Sequence, residues 1–131
     1  MANLSEEQLA KLKQALQQRY LELQEDVRSE LERSGDQRYI DLAGRVGDVG
    51  DDSVADMLVD IDTAIVDRQV QEMRAIETSL KRLAALNFGD CSDCGGEIGF
   101  DRLLAYPTAQ RCMPCQNQHE KTYRHESNPS L

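Results

Sequence analysis

Four cysteines are the residues of this sequence whose type and spacing best define a chemistry. They form two Cys-x2-Cys pairs separated by seventeen residues, and the chain has no other cysteine: Cys91, Cys94, Cys112 and Cys115. This spacing is typical of a tetrathiolate zinc site, in which each pair offers two sulfurs to one tetrahedral ion. Because thiolates fill all four coordination positions, the single ion is predicted to be structural and not catalytic. A redox dithiol or a disulfide pair is the alternative interpretation.

The charge of the chain narrows the class of partner. The 131 residues carry a formal net charge of −9, and only 5% of them are aromatic. An acidic chain does not attract nucleic-acid phosphates, so direct DNA or RNA binding is not predicted, although it is a common role for a zinc ribbon. The charge favours a basic protein surface or channel as the partner.

The sequence carries no pattern for export or membrane insertion. Residues 1–8 lack the basic start and apolar core of a signal peptide, and no apolar run approaches the length of a membrane span. Free thiols at metal spacing also fit a reducing compartment. We therefore expect a cytoplasmic protein that does not enter a membrane.

A long helix is predicted over residues 5–33. Ser5 and Gln8 form a capping-box pattern at its start. The apolar residues that follow recur at three- and four-residue steps, which is close to a coiled-coil seam: Leu9, Leu12, Leu16, Tyr20, Leu23, Val27 and Leu31.

A second long helix is predicted over 53–87. Between the two helices, three glycines within seven residues disfavour helix and indicate a tip loop at about 44–52. Asp52 is expected to cap the second helix. Two long helices that each carry one apolar stripe are expected to bury those stripes against each other, which gives an antiparallel hairpin over 1–87 and favours a monomer.

The rest of the chain is predicted to form the base of that hairpin. Residues 88–125 contain the cysteines and a short C-terminal helix, and 126–131 form a frayed tail. The predicted fold is thus mainly α: a long antiparallel coiled-coil hairpin on a small globular zinc-finger base.

The cysteine region resembles the DksA/TraR family of bacterial transcription factors. The resemblance rests on five segments: Phe88-Gly89-Asp90-Cys91-Ser92-Asp93-Cys94-Gly95, Glu97-Ile98-Gly99, Arg102-Leu103, Pro107-Thr108-Ala109 and Cys112-x-x-Cys115. It implies a non-enzymatic regulator that binds RNA polymerase and not DNA. It also implies that the coiled coil enters the secondary channel of the polymerase, where its tip modulates initiation through the stability of the open complex.

The family's tip motif, Asp-x-x-Asp-x-Ala, aligns with residues 48–53. Asp48 and Asp51 match the two aspartates, and Ser53 replaces the alanine. The resemblance therefore assigns these three residues to the modulation of polymerase.

The resemblance also implies a role in the stringent response, because several family members respond to the alarmone ppGpp through basic side chains. Arg68 keeps one such position, whereas Ala75 and Gln116 occupy positions where responsive members carry lysine. Loss of these cations removes charge-assisted hydrogen bonds to phosphate. We therefore expect weak ppGpp binding, with Arg68 as the retained contact.

Two further functions are compatible with the pattern. A Gre-type transcript-cleavage factor also carries a helical hairpin whose acidic tip helps hold a catalytic magnesium ion in the same channel. A redox-sensing module would lose zinc when its cysteines are oxidised.

Overall fold

The computed structural model describes residues 4–61, 64–85 and 87–126, and these residues are mainly helical. The α-helices are α1 (Glu6–Arg33), α2 (Gln37–Ala43), α3 (Asp52–Val59), α4 (Ala64–Ala84), α5 (Phe100–Ala105) and α6 (Met113–Glu126). A short 3-10 helix, Val46–Asp48, lies between α2 and α3. The described residues contain no strand, only one isolated antiparallel bridge between Asp90 and Glu97. The predicted mainly α class is confirmed.

Helix α1 lies where a helix over 5–33 is predicted. Ser5 Oγ accepts a hydrogen bond from the backbone N–H of Gln8, and the Gln8 side chain accepts one from the N–H of Ser5. This reciprocal capping box satisfies two N–H groups that the helix leaves without partners. The apolar stripe of α1 is buried at Leu12, Leu16, Leu23, Val27 and Leu31.

Helices α1 and α4 form an antiparallel pair, the shaft of the molecule. Near the base, Leu16 and Ile76 line one hollow, and towards the opposite end Leu31 and Val66 line another. Residue numbers thus rise along α1 as they fall along α4. Arg19 Nε also donates to Glu72 Oε2 across the pair at 2.6 Å.

The shaft ends where the chain turns back on itself. Helix α1 is followed by Gly35, whose φ of +75° is a left-handed conformation that interrupts the helix and favours glycine. Asp36 then caps α2 by accepting from the N–H of Arg38. Helix α2 packs against α1, and α3 packs against α4. The half of the molecule beyond the middle of the shaft therefore contains four helices.

The glycine-rich loop lies beside the shaft, whereas the predicted hairpin has it at the far end. A Cβ atom at Gly47 would lie 3.1 Å from Gln24 Nε2 of α1, and one at Gly50 would lie 2.7 Å from Glu77 Oε2 of α4. Gln24 precedes Ser34 by ten residues, about 15 Å along a helix. The loop lies beside the shaft because this position buries apolar side chains: Val46 and Val49 are completely shielded from solvent there.

A break also occurs where one helix over 53–87 is predicted. Helix α3 ends at Val59 with Asp60 as its C-cap, and α4 begins at Ala64 and ends at Ala84. Residues 62 and 63 lie outside the described residues, as do residues 127–131 of the predicted tail.

The base of the molecule adjoins the start of α1 and the end of α4. Helix α5 contacts α1, and Leu103 of α5 is fully buried. The base, which contains all four cysteines, therefore packs against α1 and follows α4 in the chain. Within the part of the chain that the structure describes, every helix is too short or too polar to cross a bilayer.

Candidate metal centre

The four cysteines come from two segments of the base. Cys91 and Cys94 lie in a turn that follows the shaft, whereas Cys112 directly precedes α6 and Cys115 lies in its first turn. The backbone N–H of Gln116 donates to the carbonyl of Cys112 at 2.9 Å, so the start of the helix holds the second pair in place.

The first pair has the backbone of a metal knuckle. The N–H of Cys91 donates to the Gly96 carbonyl at 2.7 Å, and the N–H of Gly95 donates to the Cys91 carbonyl at 3.0 Å. Gly95 adopts a φ of +75°, which lets the chain turn sharply after Cys94. The N–H of Gly96 points at Cys94 Sγ at 3.4 Å, a contact that stabilises a thiolate.

The geometry of the four sulfurs fits zinc. All four lie within 4.8 Å of one another, and Cys94 Sγ is 3.8 Å from Cys112 Sγ. A Zn–S distance of about 2.3 Å in a tetrahedron requires sulfurs that are about 3.8 Å apart. The predicted tetrathiolate zinc site is confirmed, with one structural ion as the cofactor.

The ionisation of the thiols is uneven. Burial raises the pKa of Cys91, but backbone N–H groups of Cys94, Cys112 and Asp93 donate to its sulfur and the net effect lowers the pKa to about 6. Hydrogen bonds with the other three sulfurs raise the pKa of Cys115, because they favour its protonated thiol. Full ionisation of such a crowded cluster needs a cation at its centre, and a divalent metal supplies that charge.

Two contacts join the two halves of the metal centre. The N–H of Ser92 donates to the Gln110 carbonyl at 2.8 Å, and Arg111 Nε donates to Asp93 Oδ2 at 3.0 Å. Arg102 supports the same region by donating to the Arg111 carbonyl at 3.1 Å. These bonds join the two knuckles in addition to the ion.

Arg82 links the metal centre to the shaft. Its guanidinium donates to the carbonyls of Asn87 and Asp90, the latter being the residue before the first zinc ligand. No local pattern identifies this arginine, since both partners are backbone atoms in an irregular segment.

The three tip residues lie together in the loop beside the shaft. The N–H of Asp51 donates to the Asp48 carbonyl at 2.8 Å, and all three side chains are exposed. Asp51 Oδ1 accepts from the N–H of Ser53 at 2.9 Å and from its hydroxyl at 2.7 Å. These bonds lower the pKa of Asp51. Asp51 therefore caps α3, and the prediction that Asp52 is the cap is wrong.

Tyr20 and Glu77 form a polar contact between the shaft helices beside this loop. The Tyr20 hydroxyl donates to Glu77 Oε1 at 2.7 Å. Burial raises the pKa of Tyr20, the hydrogen bond to Glu77 raises it further, and the negative charge of Asp48 adds to the same effect. Asp52 forms an ion pair with Arg74 of α4. The sequence predicts Tyr20 only as part of the apolar stripe of α1 and carries no pattern for its contact with Glu77.

Comparisons with known proteins bear first on the metal centre. Residues 86–121 match the family model described as the prokaryotic dksA/traR C4-type zinc finger. Residues 86–121 are therefore similar to the zinc finger of the DksA/TraR family. The resemblance inferred from the cysteine region is therefore confirmed.

Named DksA proteins are similar to part of this chain. The "RNA polymerase-binding transcription factor DksA" of Haemophilus influenzae is 46% identical over 54 residues, which are 41% of this chain and 37% of that protein. The protein of the same name from Escherichia coli K12 is 43% identical over 54 residues, 41% of this chain and 36% of that protein. The chain thus matches little more than a third of the length of these curated relatives.

A solved structure extends the similarity to most of the fold. The transcription factor DksA2 from Pseudomonas aeruginosa superposes with a TM-score of 0.61 and 28% identity. The superposition covers 92% of this chain and 89% of that one. The similarity to this solved structure therefore includes the shaft as well as the base.

The structure separates the three positions that the family resemblance associates with ppGpp. Ala75 and Gln116 line one hollow between α4 and the base. Arg68 lies seven residues before Ala75 on α4, about 10 Å along the helix, and its Nε donates to the Ala64 carbonyl at 3.4 Å. Arg102 and Arg111 also line that hollow, but they donate to the base contacts described above.

Proposed function

We propose that this protein is a transcription regulator that binds bacterial RNA polymerase directly and catalyses no reaction itself. The observation that carries the proposal is the four-sulfur cluster within residues 86–121, the segment that matches the DksA/TraR zinc finger. Two relatives that are similar to this chain over 54 residues are named as RNA polymerase-binding transcription factors. The proposed role of zinc is to fix the base so that the base orients the shaft.

The proposed mechanism is insertion of the hairpin into the secondary channel of the polymerase. There the carboxylates of Asp48 and Asp51, supported by Ser53, would change the stability of the open complex at sensitive promoters. The net charge of −9 supports a basic channel as the binding site and disfavours direct DNA binding. Differential binding to two polymerase states is sufficient for such regulation, so no covalent step is needed.

Dependence on ppGpp is proposed to be weak. Arg68 is the retained cation, and Ala75 and Gln116 replace lysines of the responsive members. Because Arg102 and Arg111 already donate to groups of the base, they do not replace the missing lysines. Promoter assays with and without ppGpp are expected to give similar inhibition, and a strong enhancement by ppGpp would contradict this part of the proposal.

Binding is tested by titrating the labelled protein, residues 1–131, with purified bacterial core RNA polymerase. We expect saturable binding of one monomer per polymerase and displacement by a known secondary-channel protein. Binding that such a competitor does not displace would place the contact elsewhere on the polymerase. Absence of binding by the zinc-loaded protein would overturn the proposal.

The role of the tip is tested with Asp48→Asn and Asp51→Asn, singly and combined. Asparagine keeps the size of each side chain and remains a good N-cap, so the change removes charge and little else. The double variant is expected to bind polymerase and to lose its effect on the lifetime of the open complex. Asp56→Asn, an exposed position on α3, is the matched control for loss of one charge. Full activity of the double variant would refute the assigned role.

The same polymerase preparation distinguishes a regulator from a cleavage factor. A Gre-type activity would shorten the RNA of backtracked complexes in the presence of magnesium. We expect intact RNA, since the proposal requires no catalysis by this chain. The redox-sensing alternative is tested separately by zinc release under peroxide.

A further inference from the structure

We propose that residues 37–59, here called the distal arm, form a hinged element with a folded-back state and an extended state. The structure captures the folded-back state, in which α2 and α3 lie along the shaft. In the extended state α2 would continue α1 and α3 would continue α4. The glycine-rich loop, which carries Asp48 and Asp51, would then form the far end of the shaft.

The spacing of apolar residues continues across residues 34–36, which form the hinge between α1 and α2. Leu31, Gly35, Tyr39 and Leu42 follow one another at steps of four, four and three residues. These are the steps of one face of a continuous helix. The left-handed backbone of Gly35 and the extended backbone of Asp36 interrupt that face, and both residue types are also able to adopt helical angles.

The second side of the arm shows the same continuity. Leu58, Ile61 and Ile65 are spaced by three and four residues, as on one helix face. In the folded-back state this face is incompletely covered: Ile65 is 56% exposed and Ile61 is only half-buried. A continuous α3–α4 helix would return Ile65 to the face that meets the neighbouring helix.

The folded-back arm also leaves α2 and α3 apart. A hollow of about 370 Å³ separates them, and its apolar lining consists of Tyr39, Leu42, Met57 and Ile61. Extension would let α2 and α3 pack directly against each other, as α1 and α4 do. The apolar surface around the hollow would thus be buried between α2 and α3 in the extended state.

Specific contacts hold the arm in the folded-back state. Val46 and Val49 are buried against the shaft, and Asp52 pairs with Arg74 of α4. Gly50 approaches Glu77 so closely that a side chain at position 50 would displace that carboxylate from Tyr20. The glycine-rich loop is therefore retained beside the shaft by a small number of replaceable contacts.

The consequence for regulation rests on the proposed function, whereas the two states do not. With the arm folded back, Asp48 and Asp51 lie along the side of the shaft and do not form its end. Binding to polymerase in the proposed manner would select the extended state, and any partner that stabilises the folded-back state would inhibit the protein.

The hinge is tested by small-angle X-ray scattering of the zinc-loaded full chain. Gly35→Ala disfavours the left-handed turn and favours continuous helix. Helix α1 alone has 28 residues, about 42 Å, whereas a helix over 6–43 spans about 57 Å. We expect the maximum dimension to increase by about 15 Å. The matched control is Gly44→Ala, because Gly44 has a right-handed φ of −68° and its added Cβ would meet only Asp41 O at 3.5 Å.

A second pair of variants tests the hinge if Gly35→Ala fails to fold, which loss of its helical circular dichroism would show. Arg74→Asp places two acids together and is expected to lengthen the particle, and combining it with Asp52→Arg restores an ion pair and should return the compact form. Folded variants at both sites with the dimensions of the unsubstituted protein would overturn the hinge. Elongated variants that fail to bind polymerase would overturn the proposed function and leave the hinge intact.

Discussion

The base and the four-helix half of this protein are stabilised by different kinds of interaction. The base depends on a few directional contacts: four sulfurs around one ion, and backbone hydrogen bonds that join two short segments. The distal half depends on apolar burial of side chains such as Leu23, Val46 and Leu58. Directional bonds define one geometry, whereas apolar faces can be buried against more than one partner. For this reason we expect the distal half, and not the base, to have two states.

Removal of zinc is the largest expected perturbation, and it should act on the base first. Structural zinc contributes on the order of 10–16 kcal/mol in small zinc-finger peptides. A strong chelator is therefore expected to abolish amide protection in residues 88–112. Protection in α1 and α4 should largely persist, since their core is apolar. Hydrogen exchange measured by mass spectrometry checks both regions in one sample, and simultaneous loss in both would show that the two regions are not independent.

A core substitution in the shaft should give the next largest effect. Leu23 is 1% exposed and Leu21 is 60% exposed, on the same helix. Leu23→Ala is expected to lower the free energy of unfolding by about 2–5 kcal/mol through lost burial and a cavity. Leu21→Ala should change it by less than about 0.5 kcal/mol. Urea denaturation followed by circular dichroism provides the measurement, and equal effects would contradict the assigned burial.

The connection between the two regions is expected to have an intermediate effect. Arg82→Met removes the hydrogen bonds to the carbonyls of Asn87 and Asp90 and keeps much of the side-chain length. Bonds of this charged type are worth about 1.5–3 kcal/mol, so zinc affinity should fall by roughly 10- to 100-fold. The neighbouring exposed residue supplies the control, Lys81→Met. Competition with a chromophoric chelator measures the affinity, and unchanged affinity would assign Arg82 to the surface.

The smallest effect concerns the charge of the loop and depends on pH. The Ser53 hydroxyl and N–H lower the pKa of Asp51 in the folded protein. A carboxyl whose pKa is lower in the folded than in the unfolded state stabilises the fold above its unfolded pKa of about 3.9. That contribution is lost as the pH falls through the folded value. The urea midpoints of the unsubstituted protein and Asp51→Asn should therefore differ more at pH 7 than at pH 3, and a pH-independent difference would contradict this origin.

Those parts of the molecule that depend on local chemistry could be predicted from the sequence. The spacing of Cys91 and Cys94 identified a knuckle because the turn between ligands involves only neighbouring residues. The capping box at Ser5 placed the start of α1 for the same reason. Helix pairing followed from two long apolar stripes that had to be buried.

The parts that depend on tertiary choices could not be predicted in this way. A 3–4 apolar spacing runs through Gly35, so the pattern is compatible with a straight helix and with a turn. Asp51 and Asp52 are chemically identical neighbours, and only the observed backbone decides which of them caps α3. Arg82 has backbone partners in an irregular segment, which no periodicity reveals.

Both shaft helices are attached to the base, so a small rotation at the base moves the far end of the shaft by a larger distance. Helix α5 contacts α1, and Arg82 anchors the end of α4. A tilt of about 5° at this mounting would move the other end of a 28-residue helix by roughly 4 Å, since such a helix is about 42 Å long. Small rearrangements around the sulfurs would therefore move the far end of the shaft by a distance comparable to an atomic contact. The direction in which the shaft points is thus determined by the geometry of the base.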